Sequence, residues 1–407
     1  MIEKTKLLIR KLHLKKVVET FPDFLKDESA SGKLILLATL LAIIAINSPL
    51  KHVYEELWQN HLSIGIGGWS LSLDFRHWIN EGLMAIFFLV VGLEIKRELV
   101  HGELQDIKKA ILPIGAAIGG MIVPAIIYVS INNTPDVIKG WGIPIATDIA
   151  FALAVLTLLG KRVPKSLKIF LLTLAIADDI GAIFVIALFY AEIINFWYLG
   201  LSAFILVNFW LFRKQLATKM SWFFIIGISL WLTTHLSGIH ASIVGAALGL
   251  ISPVSKIPTR RSISKQLENF FLPISTYAVL PLFAFANAGV VLSLNAFNDS
   301  TSALVIIGIV LGLAFGKMLG IVGASWLMVK SGKADLPENT KWLHIIGVGL
   351  IAGIGFTVSI FITELAFRTN HQLIESAKIG IFIASILSAI LGSAVLLSIR
   401  NNRSKTL

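Results

Sequence analysis

The chain has 407 residues, of which 56% are hydrophobic and 14% charged, with a formal net charge of +11 and no cysteine. Soluble domains are roughly a quarter charged, so this composition belongs to an all-α polytopic membrane protein, and the absence of thiols excludes a disulfide framework, a thiolate metal centre and a cysteine nucleophile.

Residues 1–32 carry Lys4, Lys6, Arg10, Lys11, Lys15 and Lys16, too long and too charged a segment for a signal peptide. They read as a basic amphipathic arm on the cytoplasmic membrane surface. Residues 33–400 then hold apolar runs long enough to cross roughly 30 Å of hydrocarbon as helices. Twelve spans are predicted, at 33–49, 78–96, 110–131, 142–160, 168–190, 197–212, 220–236, 239–253, 269–293, 302–327, 343–366 and 377–399, followed by a tail at 401–407. Between the first two spans, Leu62, Ile64 and Ile66, then Gly67-Gly68, then Trp69, Leu71 and Leu73 alternate with period two about a glycine turn, predicting a small periplasmic β-hairpin. Its unpaired edge is expected to support a homodimer.

On this division 29 of the 35 Lys and Arg lie on one side, five on the other (Lys51, Arg76, Lys139, Arg368 and Lys378), and Lys317 stands alone inside a span. That bias puts both termini in the cytoplasm, and the positive charge reports topology and not nucleic-acid binding. Trp78, Trp141, Trp197, Trp222 and Trp342 fall at span ends, where amphipathic rings prefer the interface.

Four charges sit where lipid disfavours them: Asp148, Asp178, Asp179 and Lys317. Each costs about 2.5 to 3.5 kcal/mol at a helix centre, roughly 10 kcal/mol together, which points to function or to a buried ion-pair cluster. Neighbouring helical residues point about 100° apart, so Asp178 and Asp179 cannot address one small ion equally; one should ligate and the other support. Carboxylates with the Thr147 hydroxyl and backbone carbonyls are the oxygens a hard monovalent cation prefers. Burial and a nearby lysine act oppositely on a carboxylate, which lets a proton and a cation compete for the same oxygens. Pro144 and Thr147-Asp148 interrupt span 4, and Gly347, Gly349, Gly353 and Gly355 weaken span 11. Two discontinuous spans in matching positions of units at about 110–190 and 302–399 suggest inverted repeats with binding at a crossing. Asp148 would offset positive helix ends there and Lys317 negative ones. Close packing is the alternative for the span 11 glycines, and Gly308, Gly312, Gly316 and Gly320 read as a packing stripe.

Leu83–Phe88, Gly92–Leu99, Ala146–Leu153, Ala177-Asp178-Asp179-Ile180-Gly181, Pro281–Gly289 and Gly353–Thr357 together resemble the NhaA-type bacterial sodium/proton antiporter family, from about Gly32 to the C-terminus. That family is itself a standard example of inverted repeats, so the two readings are not independent. The resemblance implies twelve spans and electrogenic, pH-regulated exchange of Na+ or Li+ for a larger number of protons. It makes Asp178 and Asp179 the ion and proton site, with Asp148, Thr147 and Lys317 assisting. It also implies a pH-sensing access funnel of Glu81, Glu94, Arg97, Glu98, Lys265 and Glu268, with His240 linked to the pH response. Glu81 stands where an Asp is familiar in the family, Asn269 and Leu272 where its best-known member has histidines, and Met318 follows Lys317 where proline occurs; these departures bear on the pH set-point. No cofactor or nucleotide is expected, only the transported ions. Without the resemblance, a proton-coupled symporter is the nearest rival, and an intramembrane aspartyl protease, lacking its Gly-x-Gly-Asp setting, a distant one. An ion channel is a further distant alternative. No phosphate-binding Gly-x-x-x-x-Gly-Lys-Ser/Thr loop is present.

Overall fold

The structure, a computed structural model, describes residues 30–66, 69–191, 193–216, 220–254, 263–291, 299–368 and 370–399. The predicted N-terminal arm lies almost wholly outside them, as do Gly67-Gly68 and the tail. The chain is mostly helical. In order run α1 (Ala30–Ile46), α2 (Lys51–Gln59), strands β1 (His61–Ile66) and β2 (Trp69–Asp74), and α3 (Phe75–His101). Next come α4 (Ile107–Ile131), α5 (Pro135–Ile145), α6 (Ile149–Leu158), α7 (Lys165–Phe189), α8 (Phe196–Leu216), α9 (Met220–Leu236) and α10 (Ser242–Ile251). The chain continues through α11 (Ile263–Asn287), α12 (Ser300–Lys330), α13 (Trp342–Ile351), α14 (Phe356–Phe367) and α15 (His371–Ser398).

Helix starts follow side-chain chemistry. Asp74, Asp106, Asp299 and Asn370 each accept a bond from a backbone N–H in the first turn of α3, α4, α12 and α15, at 2.7 to 3.1 Å, supplying partners for donors that have none inside the helix. Among the described residues, seven helices are long and apolar enough to cross a membrane (α3, α4, α7, α8, α11, α12 and α15), and up to ten spans result if each bent pair is one span. The bent pairs are α1–α2 at 113°, α5–α6 at 43° and α13–α14 at 49°. The multi-pass membrane reading therefore holds. The helix within the predicted span 239–253 has only 10 residues, about 15 Å, roughly half a bilayer core.

The strands β1 and β2 pair antiparallel from His61 with Asp74 to Ile66 with Trp69. Leu62 and Ile64 are exposed on the ribbon, which is tethered where Trp78 Nε1 donates to the Leu62 carbonyl at 3.0 Å. The glycine stripe of α12 packs against α4 and α5: Gly308 against Tyr128 and Asn132, Gly312 against Pro144 of α5 and then the Pro124 carbonyl, Gly316 against Ile127 and Pro124, and Gly320 against the Gly119 carbonyl. Only hydrogen side chains permit that approach.

One large apolar cluster joins α4–α7 and α12–α15 with α1, α2, Ile79, Met84 and Phe88 of α3, and the later part of α11. A second joins α8, α9 and α10 to Leu89, Val90 and Leu93 of α3 and to Leu267 and Phe271 of α11. Thus α3 and α11 stand between the two, and they carry Glu81, Glu94, Arg97, Glu98, Lys265 and Glu268.

Candidate functional site

The two broken helices meet at their breaks. Before the first, residues 139–145 tighten into a 3-10 turn containing Pro144, and Ala146 to Asp148 are extended. The Asp148 N–H donates to the Ile354 carbonyl in the second break at 2.7 Å. Asp148 Oδ1 accepts from the Phe151 N–H at 3.1 Å, capping α6, while Oδ2 accepts from the Thr357 N–H at 3.0 Å and the Thr357 hydroxyl at 2.5 Å. One carboxylate thus lies at the positive N-terminal ends of α6 and α14. Ser359 Oγ donates back to the Ile143 carbonyl at 2.8 Å.

Lys317 is fully buried at the end of a π-helical turn, Leu311–Gly316, of the kind often found beside functional side chains. Its Nζ lies 2.7 Å from Asp178 Oδ2 and also donates to the carbonyl of Ile145, the last residue of α5. Lys317 therefore meets the negative end of one half-helix and Asp148 the positive ends of two others. Thr147 Oγ1 is 2.6 Å from Asp178 Oδ2 and 3.0 Å from the Ala352 carbonyl, and its single proton serves one acceptor at a time. Asp178 Oδ1 is buried with no hydrogen-bond partner among the described residues.

The two adjacent aspartates have different surroundings. Asp178 is held by Lys317 and Thr147, whereas Asp179 lines a cavity of about 560 Å³ with Thr147, Asp148, Glu94 and Thr357. Ser31, Ser275, Thr276 and Tyr277 line the same cavity, the last three in a second π-helical turn, Ser275–Val279. These wall residues carry no charge and no motif, and sequence reading did not single them out.

At the Glu94 end of the bundle, Arg97 bonds Glu268 and lies 3.4 Å from Glu94 and 3.7 Å from Glu98, while Lys265 lies 3.2 Å from Glu268. These five form one cluster. Glu81 does not touch this cluster: thirteen residues of α3, about 20 Å, separate it from Glu94. It lies in a third π-helical turn, Trp78–Leu83, with Oε1 2.7 Å from His240 Nδ1 and Oε2 accepting from the Ala241 N–H at 2.8 Å. His240 Nε2 in turn meets Arg368.

A second buried ion pair was also missed. Lys378 Nζ lies 2.6 Å from Glu364 Oε1, both largely buried. Sequence reading counted Lys378 with the outer cations although it is the second residue of the predicted span 377–399; α15 begins at His371, so Lys378 sits about two turns inside the helix and Lys317 is not the lone intrahelical lysine.

A profile of the family described as "Na+/H+ antiporter 1" matches residues 22–396. The chain is similar to "Na(+)/H(+) antiporter NhaA 1" of Clostridium beijerinckii, 46% identical over 386 residues and covering 93% of this chain and 95% of the relative. It is also similar to "Na(+)/H(+) antiporter NhaA" of Pelagibacter ubique, 44% identical over 387 residues, covering 94% and 98%. Among solved structures it resembles the sodium proton antiporter MjNhaP1 from Methanocaldococcus jannaschii, with a TM-score of 0.55 over 95% of this chain and 99% of that one; at 12% identity this is a likeness of fold alone.

Proposed function

This chain belongs to the Na+/H+ antiporter 1 family, whose members are transporters and not enzymes, and from that premise we propose that it exchanges Na+ or Li+ for H+ at Asp178 and Asp179. The observation that carries the reading is the division of labour between the aspartates, one on the cavity wall and one held by Lys317.

Asp179 is the group an arriving cation meets first. The carboxylate and hydroxyl oxygens beside it, Asp148, Thr147 and Thr357, are hard donors suited to Na+ or Li+. A cation there competes with a proton, because either neutralises a buried carboxylate whose isolated charge is costly. For the cation to engage Asp178 as well, Lys317 must leave it. A buried ammonium without its carboxylate costs several kcal/mol, and shedding its proton removes that cost. Charge counting then separates two outcomes. If only Asp179 trades a proton, exchange is electroneutral; if Lys317 also releases one, two protons move against one cation and exchange is electrogenic. The short Lys317–Asp178 pair supports the second. The Arg97–Glu268 cluster and the Glu81–His240 pair are the groups we assign to pH regulation.

The bent pairs, counted with α9 and α10, support twelve spans with inverted repeats α4–α7 and α12–α15, the discontinuous helices crossing where Asp148 meets Ile354. The basic bias supports an inner-membrane protein with both termini in the cytoplasm, its Asp179 cavity facing inward.

Proteoliposomes with an acid interior and a trapped pH dye test the function. External Na+ or Li+ is expected to alkalinise the interior, K+ to have no effect, and Asp179→Asn to reduce exchange to background. An electrogenic cycle builds a membrane potential that a K+/valinomycin clamp dissipates, accelerating exchange. Wild-type rates in Asp179→Asn would remove the site assignment. If no cation collapsed the gradient at any pH from neutral to alkaline, the antiport reading itself would fail.

A further inference from the structure

The Asp179 cavity lies in the boundary between α3 and α11 on one side and α6, α7 and α14 on the other, and runs from Asp179 toward Glu94. Beyond Asp179, in the other direction, apolar rings meet across this boundary: Phe88 of α3 and Phe283 of α11 stand 5.5 and 6.1 Å from Phe361 of α14. Such contacts slide without stranding a polar group. Further along, the crossing is polar. Arg368 directly follows α14, its Nη2 donating to the Tyr190 carbonyl at the end of α7 at 2.7 Å and its Nε to the Leu365 carbonyl at 3.2 Å. The same Nη2 reaches His240 Nε2, in the turn before α10.

The bonding assigns the imidazole. Guanidinium has only donors, so His240 Nε2 accepts, and the ring proton sits on Nδ1, where it meets Glu81 Oε1 at 2.7 Å. Glu81 is fixed in turn by the Ala241 N–H. The chain Tyr190–Arg368–His240–Glu81 therefore runs from the broken-helix side to the α3–α10 side at the end opposite the cavity.

We infer that the Arg368–His240 bond is an outer latch, holding this end of the boundary closed while Asp179 faces the Glu94 end and parting each time the site turns outward. The inference rests on the antiport reading, since only exchange requires the same site to face both sides. A directional bond across the closed end favours the inward-facing state by as much as it is lost in the other, so removing it shifts the population and the apparent affinity seen from each side.

The chain has no cysteine, so His240→Cys with Arg368→Cys places one thiol pair in a thiol-free protein. A short reducible bis-thiosulfonate joining the pair is expected to reduce Na+/H+ exchange in proteoliposomes to background, and reductant to restore the measurable exchange of the unlinked variant. A linked protein, verified by mass, that exchanges at the unlinked rate overturns the latch. As a second measurement, Arg368→Ala is expected to raise the apparent KM for Na+ offered at the inner face by about two- to fivefold with no rise at the outer face, and Arg368→Lys to recover part of the loss. Equal change at both faces, or none, assigns Arg368 a merely structural role and also overturns the proposal. Absence of exchange in the wild type is the distinct result that ends the antiport reading instead.

Discussion

Asp178 and Asp179 are identical in type and adjacent in sequence, and the helix alone makes them different. A rotation of about 100° turns one toward Lys317 of α12 and leaves the other on the cavity wall. Deleting the lysine tests how tightly the pair is bound into the fold. Lys317→Ala leaves a fully buried Asp178 without its cation, and a loss of about 3–5 kcal/mol is expected, read as a lower melting temperature in detergent. Adding Asp178→Asn should recover part of that loss, because the stranded charge goes with it. A melting temperature that Lys317→Ala leaves unmoved would show the pair to be stabilised elsewhere. Asp148 is a different kind of buried charge, its two oxygens occupied by three donors at the ends of α6 and α14.

At the scale of elements, the broken helices depend on the unbroken ones beside them. The span 11 glycines support both sequence readings at once, since the helix breaks between Ile351 and Phe356 and a Cβ at Gly347 would meet Leu396. The α12 stripe is close packing outright. At Gly320 a Cβ would run into the Gly119 backbone, whereas at Gly323, on the same helix, it would meet nothing within 4 Å. Gly320→Ala is therefore expected to destabilise by about 1–3 kcal/mol through overpacking. Gly323→Ala should be neutral, or stabilising by about 0.5–1 kcal/mol, because alanine is the better helix former. Thermal unfolding of the two variants side by side checks this, and equal shifts would mean that the α4–α12 contact is looser than described. Each of the three π-helical turns among the described residues holds or adjoins polar groups: Glu81, the Ser275–Tyr277 wall and Lys317. A π turn displaces side chains from the ordinary helical stripe, and hydrophobic periodicity carries no mark of it.

For the whole molecule, the hairpin is the feature we propose as the contact with a second copy. Among the described residues its strands pair with each other alone, with Leu62 and Ile64 exposed. An unpaired edge of this kind joins its symmetry mate by strand addition. Deleting residues 62–73 is expected to abolish chemical crosslinking between subunits in membranes while leaving the monomer folded; undiminished crosslinking would place the interface elsewhere.

The sequence by itself determined that the chain is a multi-pass membrane protein, because a 56% hydrophobic composition in long runs has no other solvent. It also marked Asp148, Asp178, Asp179 and Lys317, because lipid makes each such charge costly and therefore conspicuous. The hairpin strands were legible for a similar reason, since a period of two cannot serve a helix. Only the tertiary structure decided which aspartate pairs with Lys317 and which lines the cavity, that Glu81 belongs with His240 and not with Glu94, and that Lys378 is buried against Glu364. Those are facts of side-chain direction between distant segments, as from Glu81 to His240, 159 residues apart. Hydropathy reports how much of a segment lies in lipid; it carries nothing about which neighbour each face meets.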